Sequence, residues 1–390
     1  MEDYIRRTWA KIDLDAAAHN VRTIKAGLKP GVKLCAVVKA DCYGHGYEQT
    51  AAAISAAGAD FFAVSNLAEA IQLRRAGVAA PILILGYTPP KLAAALAENG
   101  ISQAVFSLNY ARSLSEAAVF SSVQVKTHIK IDTGMSRIGF FYQDEAADRG
   151  ATEEIAAAAS LPGLVPEGVF THFSSADCAD GEAFTLRQFQ LFMNAIESLK
   201  ARGIEFPLRH CANSAGILRF PETQLDMVRA GIILYGLPPS NDVPAPALRP
   251  VMSLKTVIGM VKPLPAGAPV SYSRTWRAPE KRLIATVPIG YADGYPRALG
   301  SRGRMLVNGS LVPVVGNVCM DQCMLDVTDA PDVREGMTVT VFGGDGEISA
   351  ARVAAAAGII PYELICGVSR RVPSVYVRDG KQVHTTDYML

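Results

Sequence analysis

Along residues 30–235, short runs of β-branched and aliphatic residues alternate with Ala-rich stretches whose apolar positions recur at helical spacing. The runs are KLCAVVKA (33–40), DFFAVSN (60–66), PILILGY (81–87), QAVFS (103–107), VKTHIKID (125–132), EGVFTHF (167–173), LRHCANS (208–214) and LDMVRAG (225–231). Near-continuous Val, Ile and Leu runs are typical of parallel strands that are buried on both faces. Eight strand–helix repeats in about 200 residues match the minimum length of a (β/α)8 barrel. An open doubly wound sheet is the alternative, but no Gly-rich dinucleotide motif follows the first run.

The rest of the chain has a different pattern. The stretch LPPSNDVPAPALRP (237–250) contains five Pro and no periodicity, which is typical of a stiff linker. After it come short β-type runs separated by Gly and Pro, which predict a compact, mostly β domain. We therefore expect an α/β fold, with a TIM barrel over residues 1–240 and a smaller β domain over 250–390. The opening TWAKIDL alternates like a strand, so residues 1–10 belong either with the barrel or with the β domain.

Composition narrows the classes of protein. The 390 residues are 49% hydrophobic and carry a formal net charge of +1, which excludes a disordered chain and argues against binding to nucleic acid or to an acidic membrane. No apolar run is long enough for a transmembrane helix, and the first residues lack the pattern of a signal peptide. Seven irregularly spaced Cys predict no disulfide framework, and no His adjoins Cys319 and Cys323 to complete a metal site. We expect a cytoplasmic protein that binds a small molecule and no metal.

Polar residues follow several predicted strands, at the end of a barrel where active sites lie. Lys39 comes after four apolar residues, and burying an ammonium group is costly unless it is paired or loses its proton. Lys39 is therefore either a surface lysine or a desolvated amine that can form a Schiff base. After the seventh and eighth strands, ANSAG (212–216) and RAGIILYG (229–236) offer backbone N–H groups for a phosphate. A strand-end lysine with a phosphate cradle indicates pyridoxal 5′-phosphate (PLP).

The motifs, taken in order, resemble those of the alanine racemase family from about residue 5 to the C-terminus. They are AVVKADCYGHG, HIKIDTGMSRIGF, THFSSAD, RHCANSAG, MVRAGIILYG, PVSYSRTW, IGYADGYPR, VGNVCMDQCMLDV and PYELICGVSRRVPSVY. The resemblance implies a PLP-binding barrel, a C-terminal β domain and a head-to-tail homodimer with shared active sites. It also implies an isomerase that interconverts L- and D-alanine and supplies D-alanine for peptidoglycan. A racemase of the same family that acts on serine or on a wider set of amino acids is the alternative.

Two more distant alternatives are a PLP-dependent decarboxylase and a non-catalytic PLP carrier. A decarboxylase of this two-domain plan has a Gly-rich phosphate loop, which HCANSAG and RAGIILYG do not resemble. A carrier needs no second base, and the resemblance assigns one to the β domain.

The resemblance also implies a role for individual residues. Lys39 is the Schiff-base lysine and one catalytic base, and Tyr272 is the second base, which the partner subunit supplies together with Met320 and Asp321. Arg229 faces the pyridine nitrogen, and Arg137 binds the cofactor's phenolic oxygen and the substrate carboxylate. The remaining cofactor contacts, mostly at the phosphate, are Tyr43, Asn213, Ser214, Gly231, Ile232 and Tyr362.

Four further positions complete this set of expectations. Lys130 matches a lysine that is carbamylated in many members, where the carbamate braces the arginine at Arg137. Tyr291 lines the approach to the site. A free phenol is a poor base at neutral pH, so Tyr272 needs a cationic neighbourhood, which His172 backed by Arg229 would supply; the alternative for His172 is a buried, hydrogen-bonded histidine. Ser273 stands where Gly is common in the family, which puts the turn after Tyr272 in doubt.

Overall fold

A barrel of parallel strands forms the first part of the fold. The computed structural model describes residues 7–146, 148–245 and 247–389. Its first strand is β1 (Thr8–Asp13). The barrel strands are β2 (Lys33–Val37), β3 (Phe61–Val64), β4 (Ile82–Ile84), β5 (Ile101–Val105), β6 (Val125–Asp132), β8 (Leu164–Phe170), β9 (Leu208–His210) and β10 (Met227–Ala230), with the two-residue β7 (Phe140–Phe141) beside β6. Each predicted run overlaps one of these eight strands, although β5 and β8 begin before their runs, and the predicted barrel is confirmed.

The barrel strands pair in the order β10-β2-β3-β4-β5-β6-β8-β9. The two ends of this order meet, because the backbone N–H of Asp226 donates to the carbonyl oxygen of Arg209 at 3.1 Å and that of Arg229 donates to Ala212 at 2.9 Å. Every residue of β3, β4 and β5 is buried, between the barrel interior on one face and the helices on the other. This two-sided burial is why the strands are near-continuous apolar runs.

Helices surround the barrel and cover the second sheet. They are α1 (Leu14–Ala26), α2 (Lys39–Gly44), α3 (Tyr47–Ala56), α4 (Leu67–Arg75), α5 (Ala93–Glu98), α6 (Leu108–Phe120), α7 (Arg149–Ala159), α8 (Glu182–Lys200), α9 (Ser214–Arg219), α10 (Ala350–Ala357) and α11 (Pro361–Cys366). In α8 the buried positions, among them Thr185, Gln188 and Phe192, recur at intervals of three and four and so form one face. Among the described residues, no helix combines the length and the apolar character that crossing a bilayer requires.

The second sheet contains ten strands in the order β12-β15-β18-β17-β16-β19-β11-β1-β20-β21. Its strands, with the separate hairpin β13-β14, are β11 (Met252–Val257), β12 (Met260–Leu264), β13 (Pro269–Val270), β14 (Trp276–Arg277), β15 (Arg282–Val287), β16 (Arg304–Val307), β17 (Ser310–Val315), β18 (Cys323–Asp326), β19 (Thr338–Phe342), β20 (Ser374–Arg378) and β21 (Lys381–Thr386). Residues of β1 and β11 alternate between buried and partly buried, as expected of strands with one face on a core.

Strand β1 belongs to this second sheet, where it pairs antiparallel with β11 and parallel with β20. Residues 1–6 of the predicted N-terminal strand lie outside the described residues. Near the linker, buried Asn20 donates to the carbonyl oxygens of Leu234 and Arg249 and accepts from the backbone N–H of Arg249. These bonds tie α1 to both ends of the segment that joins the sheets. The division into domains at residues 240–250 stays our proposal.

Candidate active site

A cavity of ≈ 660 Å³ opens where the barrel strands end. Most of the predicted site residues line it, and all of these except Tyr362, which lies on α11, belong to barrel strands or to the segments that follow them. The predicted residues in its wall are Lys39, Tyr43, Lys130, Arg137, His172, Asn213, Ser214, Arg229, Gly231, Ile232 and Tyr362. One pocket therefore gathers residues that are nearly 200 positions apart in the sequence, because the carboxyl ends of parallel strands meet at one face of a barrel.

A turn of left-handed helix follows Lys39. Residues Ala40, Asp41, Cys42 and Tyr43 have φ values of 52°, 55°, 55° and 53°. A left-handed conformation costs roughly 1–2 kcal/mol for each residue with a Cβ, so this backbone persists only because its surroundings hold it. Such strain is concentrated at functional sites in proteins.

Hydrogen bonds hold this left-handed turn on both sides. The carboxylate of Glu69 accepts from the backbone N–H of Ala40 at 3.0 Å and of Ser65 at 2.7 Å, which joins the ends of β2 and β3. The carboxylate of Asp41 accepts from the backbone N–H of Tyr47 at 2.9 Å, where α3 begins. Lys39, just before the turn, and Tyr43, at its end, both line the cavity.

Positive charge dominates the cavity wall. Among the described lining residues, Lys39, Lys130, Arg137 and Arg229 have basic side chains, and Asp177 is the carboxylate. Burial, and then the charge of Arg137, lower the pKa of Lys39. Lys130 is only 3% exposed, and burial together with Arg137 and Arg229 lowers its pKa to about 7. This surplus of positive charge fits a ligand with more than one anionic group.

Arg137 is carried by a loop that its own strand organises. At the end of β6, the carboxylate of Asp132 accepts from the backbone N–H groups of Gly134 at 3.1 Å and Ser136 at 2.9 Å. These bonds fold the loop back over the strand end. The exposed Arg137 side chain then lies at the rim of the cavity.

A small concave surface lies where β9 and β10 end. The backbone N–H of Gly231 donates to Ser214 Oγ at 2.9 Å. A Cβ on Gly231 would stand 2.9 Å from the Tyr43 phenolic oxygen and 3.6 Å from Ser214 Oγ, so a side chain there would fill this space. The Tyr43 and Tyr362 rings lie beside each other, with centroids 6.0 Å apart. Hydroxyl and N–H groups around a gap of this kind suit a phosphate.

Asn213 contributes by shaping this surface. Its side-chain oxygen caps α9 by accepting from the backbone N–H of Gly216 at 3.0 Å, and its amide nitrogen donates to the carbonyl oxygen of Phe173 at 3.3 Å. The cap fixes Ser214 as the first residue of the helix.

Arg229 is buried inside the barrel and donates several hydrogen bonds. Its Nη1 donates to His210 Nδ1 at 2.7 Å, and its Nη2 donates to the carbonyl oxygen of Thr171 at 2.7 Å and to His172 Nδ1 at 3.2 Å. Burial, and then Arg229, lower the pKa of His172 well below its usual value. His172 is therefore neutral with its proton on Nε2, a hydrogen-bond donor rather than the cation that the sequence analysis expects.

Four predicted site residues do not line the cavity of their own chain: Tyr272, Tyr291, Met320 and Asp321. We call them the exposed cluster. They belong to segments between the strands of the second sheet and of the β13-β14 hairpin, and Tyr272 is 72% exposed, Met320 53% and Tyr291 43%. Backbone bonds from Tyr291 to Cys319 and from Ala292 to Met320 hold two parts of the cluster together, and Arg371 forms a 2.9 Å ion pair with Asp321.

The turn that carries Tyr272 is also left-handed in part. Ser271 and Ser273 have φ values of 64° and 61°. Ser271 Oγ donates to the carbonyl oxygen of Asn317 at 2.7 Å, and the Asn317 side chain donates to the carbonyl oxygen of Tyr272 at 2.8 Å. Ser273 thus adopts a conformation that Gly reaches without strain, and the departure from Gly leaves the turn in place.

Sequence reasoning does not find all the residues connected to this site. Asp177, in the motif THFSSAD, lines the cavity although the resemblance assigns it no role. His128, Glu167 and His210 lie within predicted strands and connect to Arg229 through hydrogen bonds. A partial signal exists for these three, because each is a polar residue in a strand predicted to be buried, where burial would penalise it without a partner.

Family comparisons cover both parts of the chain. The family model described as "Alanine racemase, N-terminal domain" matches residues 12–239, and "Alanine racemase, C-terminal domain" matches residues 251–376. The alanine racemase of Desulfovibrio desulfuricans is 48% identical over 378 residues, which cover 97% of this chain and 100% of that protein. Alanine racemase 1 of Clostridium acetobutylicum is 41% identical over 390 residues, 99% of each chain.

Solved structures agree with these relatives. The alanine racemase of Clostridium difficile has a TM-score of 0.92 to this chain at 39% identity, over 98% of this chain and 99% of that one. The alanine racemase of Bacillus anthracis with bound L-Ala-P has a TM-score of 0.89 at 39% identity, over 98% of both chains. Both parts of the fold and their connection are therefore shared with these proteins.

Proposed function

Because the chain belongs to the alanine racemase family, we propose that it is an isomerase that interconverts L-alanine and D-alanine with PLP as its cofactor. The observation that carries this proposal is the cavity, where Lys39, with its lowered pKa, shares a cation-rich wall with a phosphate-sized gap. The family's general role is the supply of D-alanine for peptidoglycan, and we propose the same role here. The seven free cysteines support a cytoplasmic location.

The residues present fit this cofactor. Bound PLP supplies an aldehyde that condenses with amines and a ring that withdraws electrons from the α-carbon. We propose that Lys39 provides the amine and that buried Arg229 faces the ring nitrogen. The gap beside Gly231 would receive the phosphate, and its contacts would come from Tyr43, Asn213, Ser214, Gly231, Ile232 and Tyr362.

Racemisation requires a proton to leave one face of the α-carbon and a proton to arrive on the other. Lys39 serves one face, since its lowered pKa favours the neutral amine that can accept a proton. Tyr272 serves the other face, and each base contributes about 10²–10⁴-fold to the rate. Arg137 would bind the substrate carboxylate. Nε2–H of His172 would be available to donate to the Tyr272 oxygen of a partner subunit, which would favour the ionised phenol.

We propose further that the exposed cluster enters the barrel mouth of a partner subunit in a homodimer. The support is that Tyr272 is 72% exposed while the cavity of its own chain lacks it. Lys39→Ala and Tyr272→Ala proteins would then complement each other, because one site of each hybrid dimer holds both bases. Random mixing should restore about a quarter of the normal activity, since half of the dimers are hybrids with one intact site each. No recovery after proven subunit exchange would rule out the shared site.

Lys130 is proposed to be carbamylated. Its pKa of about 7 leaves much of the amine neutral at physiological pH, which is the form that adds carbon dioxide. Addition of carbon dioxide to this amine, with release of a proton to solvent, would give an anionic carbamate with two acceptor oxygens, suited to a bidentate pair with Arg137.

A direct assay tests the proposed function. The protein is loaded with PLP and incubated with L-alanine and, separately, with L-serine, and the D-isomers are separated by chiral chromatography. We expect D-alanine to accumulate to an equal mixture, with D-serine slower, because Met320 and Tyr362 would narrow the site to a methyl side chain. Faster formation of D-serine would support the alternative racemase, and no D-isomer from a PLP-loaded protein would refute the proposal.

A further inference from the structure

A chain of hydrogen bonds crosses the barrel interior from Arg229 to Glu167. Arg229 Nη1 lies 2.7 Å from His210 Nδ1, His210 Nε2 lies 2.9 Å from His128 Nδ1, and His128 Nε2 lies 3.2 Å from Glu167 Oε2. Both histidines are fully buried, and Arg229 is 2% exposed. We call these four side chains the Arg229–Glu167 chain.

The two ends of the chain have opposite hydrogen-bonding roles. Burial lowers the pKa of Arg229 to about 10, so at neutral pH it is a cation that only donates. Burial opposes the charge of Glu167, but hydrogen bonds from His128, Ser102 and Lys126 lower its pKa to about 2, so it is a carboxylate that only accepts. Burial lowers the pKa of both histidines, and a neutral imidazole has one donor and one acceptor.

Only one arrangement of protons satisfies all three bonds. The donation from Arg229 makes His210 Nδ1 an acceptor, which places the His210 proton on Nε2. That proton is donated to His128 Nδ1, so the His128 proton is also on Nε2 and is donated to Glu167. Reversing either imidazole would turn two N–H groups toward each other inside the barrel, where an unsatisfied polar group is costly.

We propose that Glu167 is a positioning residue for the active site: as the terminal acceptor it fixes both histidine tautomers and keeps His210 Nδ1 available to Arg229. Glu167 thereby helps to hold the guanidinium that also donates to His172. The effect of Glu167 on the rate of racemisation rests on the proposed function, whereas the assignment of the two histidine tautomers does not depend on it.

The surroundings of the chain leave it little freedom to rearrange. The Phe170 ring stacks on His210, with centroids 4.9 Å apart and planes 4° from parallel. Gly168 has no side chain where a Cβ would overlap the His128 ring. Glu167 is fixed by Ser102 Oγ at 2.5 Å and by Lys126 Nζ at 3.1 Å. Since Lys126 is 56% exposed, the chain connects a solvent-facing ion pair to the active-site cavity.

The first test needs no substitution. In the PLP-loaded protein labelled with ¹⁵N-histidine, long-range ¹H–¹⁵N spectra report which ring nitrogen carries the proton. We expect His128 and His210 to be neutral with the proton on Nε2 in both. A proton on Nδ1 of either ring, or a doubly protonated ring, would overturn the proposal.

The second test uses Glu167→Gln, which keeps the size of the side chain but offers an N–H as well as an oxygen. We expect a second tautomer to appear at His128 and His210. We also expect kcat to fall about tenfold, because a hydrogen bond to a charged group is weakened, while KM for alanine should change less than about twofold. The matched control is Glu153→Gln, the same change in the exposed ion pair with Arg202, and it should leave both spectrum and kcat unchanged.

Unchanged tautomers in Glu167→Gln would refute the positioning role whatever happens to kcat. If Glu167→Gln does not fold, the spectrum of the unsubstituted protein still tests the proposal, because a proton on Nδ1 of either histidine would overturn it. If the unsubstituted protein makes no D-alanine while both histidines carry the proton on Nε2, the proposed function fails and the tautomer assignment stands.

Discussion

The two proposed bases lie beside left-handed backbone in very different surroundings. Lys39 precedes four residues with φ between 52° and 55°, and the turn is tied to its neighbours by the Glu69 and Asp41 carboxylates. Tyr272 lies between Ser271 and Ser273, whose φ values are 64° and 61°, on a surface where its own ring is 72% exposed.

This difference indicates how the site is divided. The strained turn at Lys39 opens into a cavity that its own chain has already built from strand ends. The strained turn at Tyr272 directs an aromatic side chain into solvent, and an exposed aromatic ring does not stabilise the fold of the isolated chain. The first region is thus complete within one subunit, and we infer that the second is organised for a surface outside it.

The largest expected effect is the loss of Lys39. Lys39→Ala removes a base worth about 10²–10⁴-fold and also the amine proposed to bind PLP, so D-alanine formation should become undetectable. Borohydride reduction of the PLP-loaded protein followed by peptide mapping should place the label on Lys39. A label on another lysine would show that Lys39, beside the left-handed turn, does not bind the cofactor.

The next effect separates the two regions. Tyr272→Phe should slow racemisation about 10²–10⁴-fold by removing one base. Its melting temperature should change by no more than a few °C, because the variant keeps the aromatic ring and loses only a hydroxyl, whose hydrogen bond contributes about 1 kcal/mol. Full activity in this variant would show that the exposed cluster takes no part in the chemistry.

A smaller effect is expected at Lys130. Lys130→Ala should lose activity about tenfold, since Arg137 loses a charged partner, and acetate or formate should restore part of it by replacing the carbamate. The matched control is Lys39→Ala, which the same anions should not rescue. Full activity with an unmodified Lys130, seen by native mass spectrometry in bicarbonate, would contradict carbamylation.

The smallest effect concerns the turn at Tyr272. Ser273→Gly removes a left-handed residue with a Cβ, which gains about 1–2 kcal/mol, but it also adds entropy to the unfolded chain, which costs about 0.5–1 kcal/mol. The free energy of unfolding in urea should therefore rise by about 0–1.5 kcal/mol, with kcat changed less than twofold. A clear loss of stability would mean that the serine side chain itself holds the turn.

Much of the barrel could be predicted because its signals are local. A run such as PILILGY predicts β4 by composition alone, since both faces of the strand are buried. The strand ends then identify Lys39 and the segments that begin at Ala212 and Arg229 without knowledge of any contact, because parallel strands of a barrel end at one face. The resemblance to a family added Tyr272, which no periodicity in its own segment indicates.

The sequence by itself determined the succession of barrel strands along the chain, the change of hydrophobic pattern at the linker and most of the residues that lie at the mouth of the barrel. Only the tertiary structure decided that β1 lies between β11 and β20, that His172 is neutral, and that His128 and His210 connect Arg229 to Glu167. The physical reason is that periodicity and propensity act over a few neighbouring residues, whereas strand pairing, burial and hydrogen-bond direction depend on groups far apart in the chain. Arg229 and Glu167 stand on different strands, and only the closed barrel gives each the partner that fixes its role.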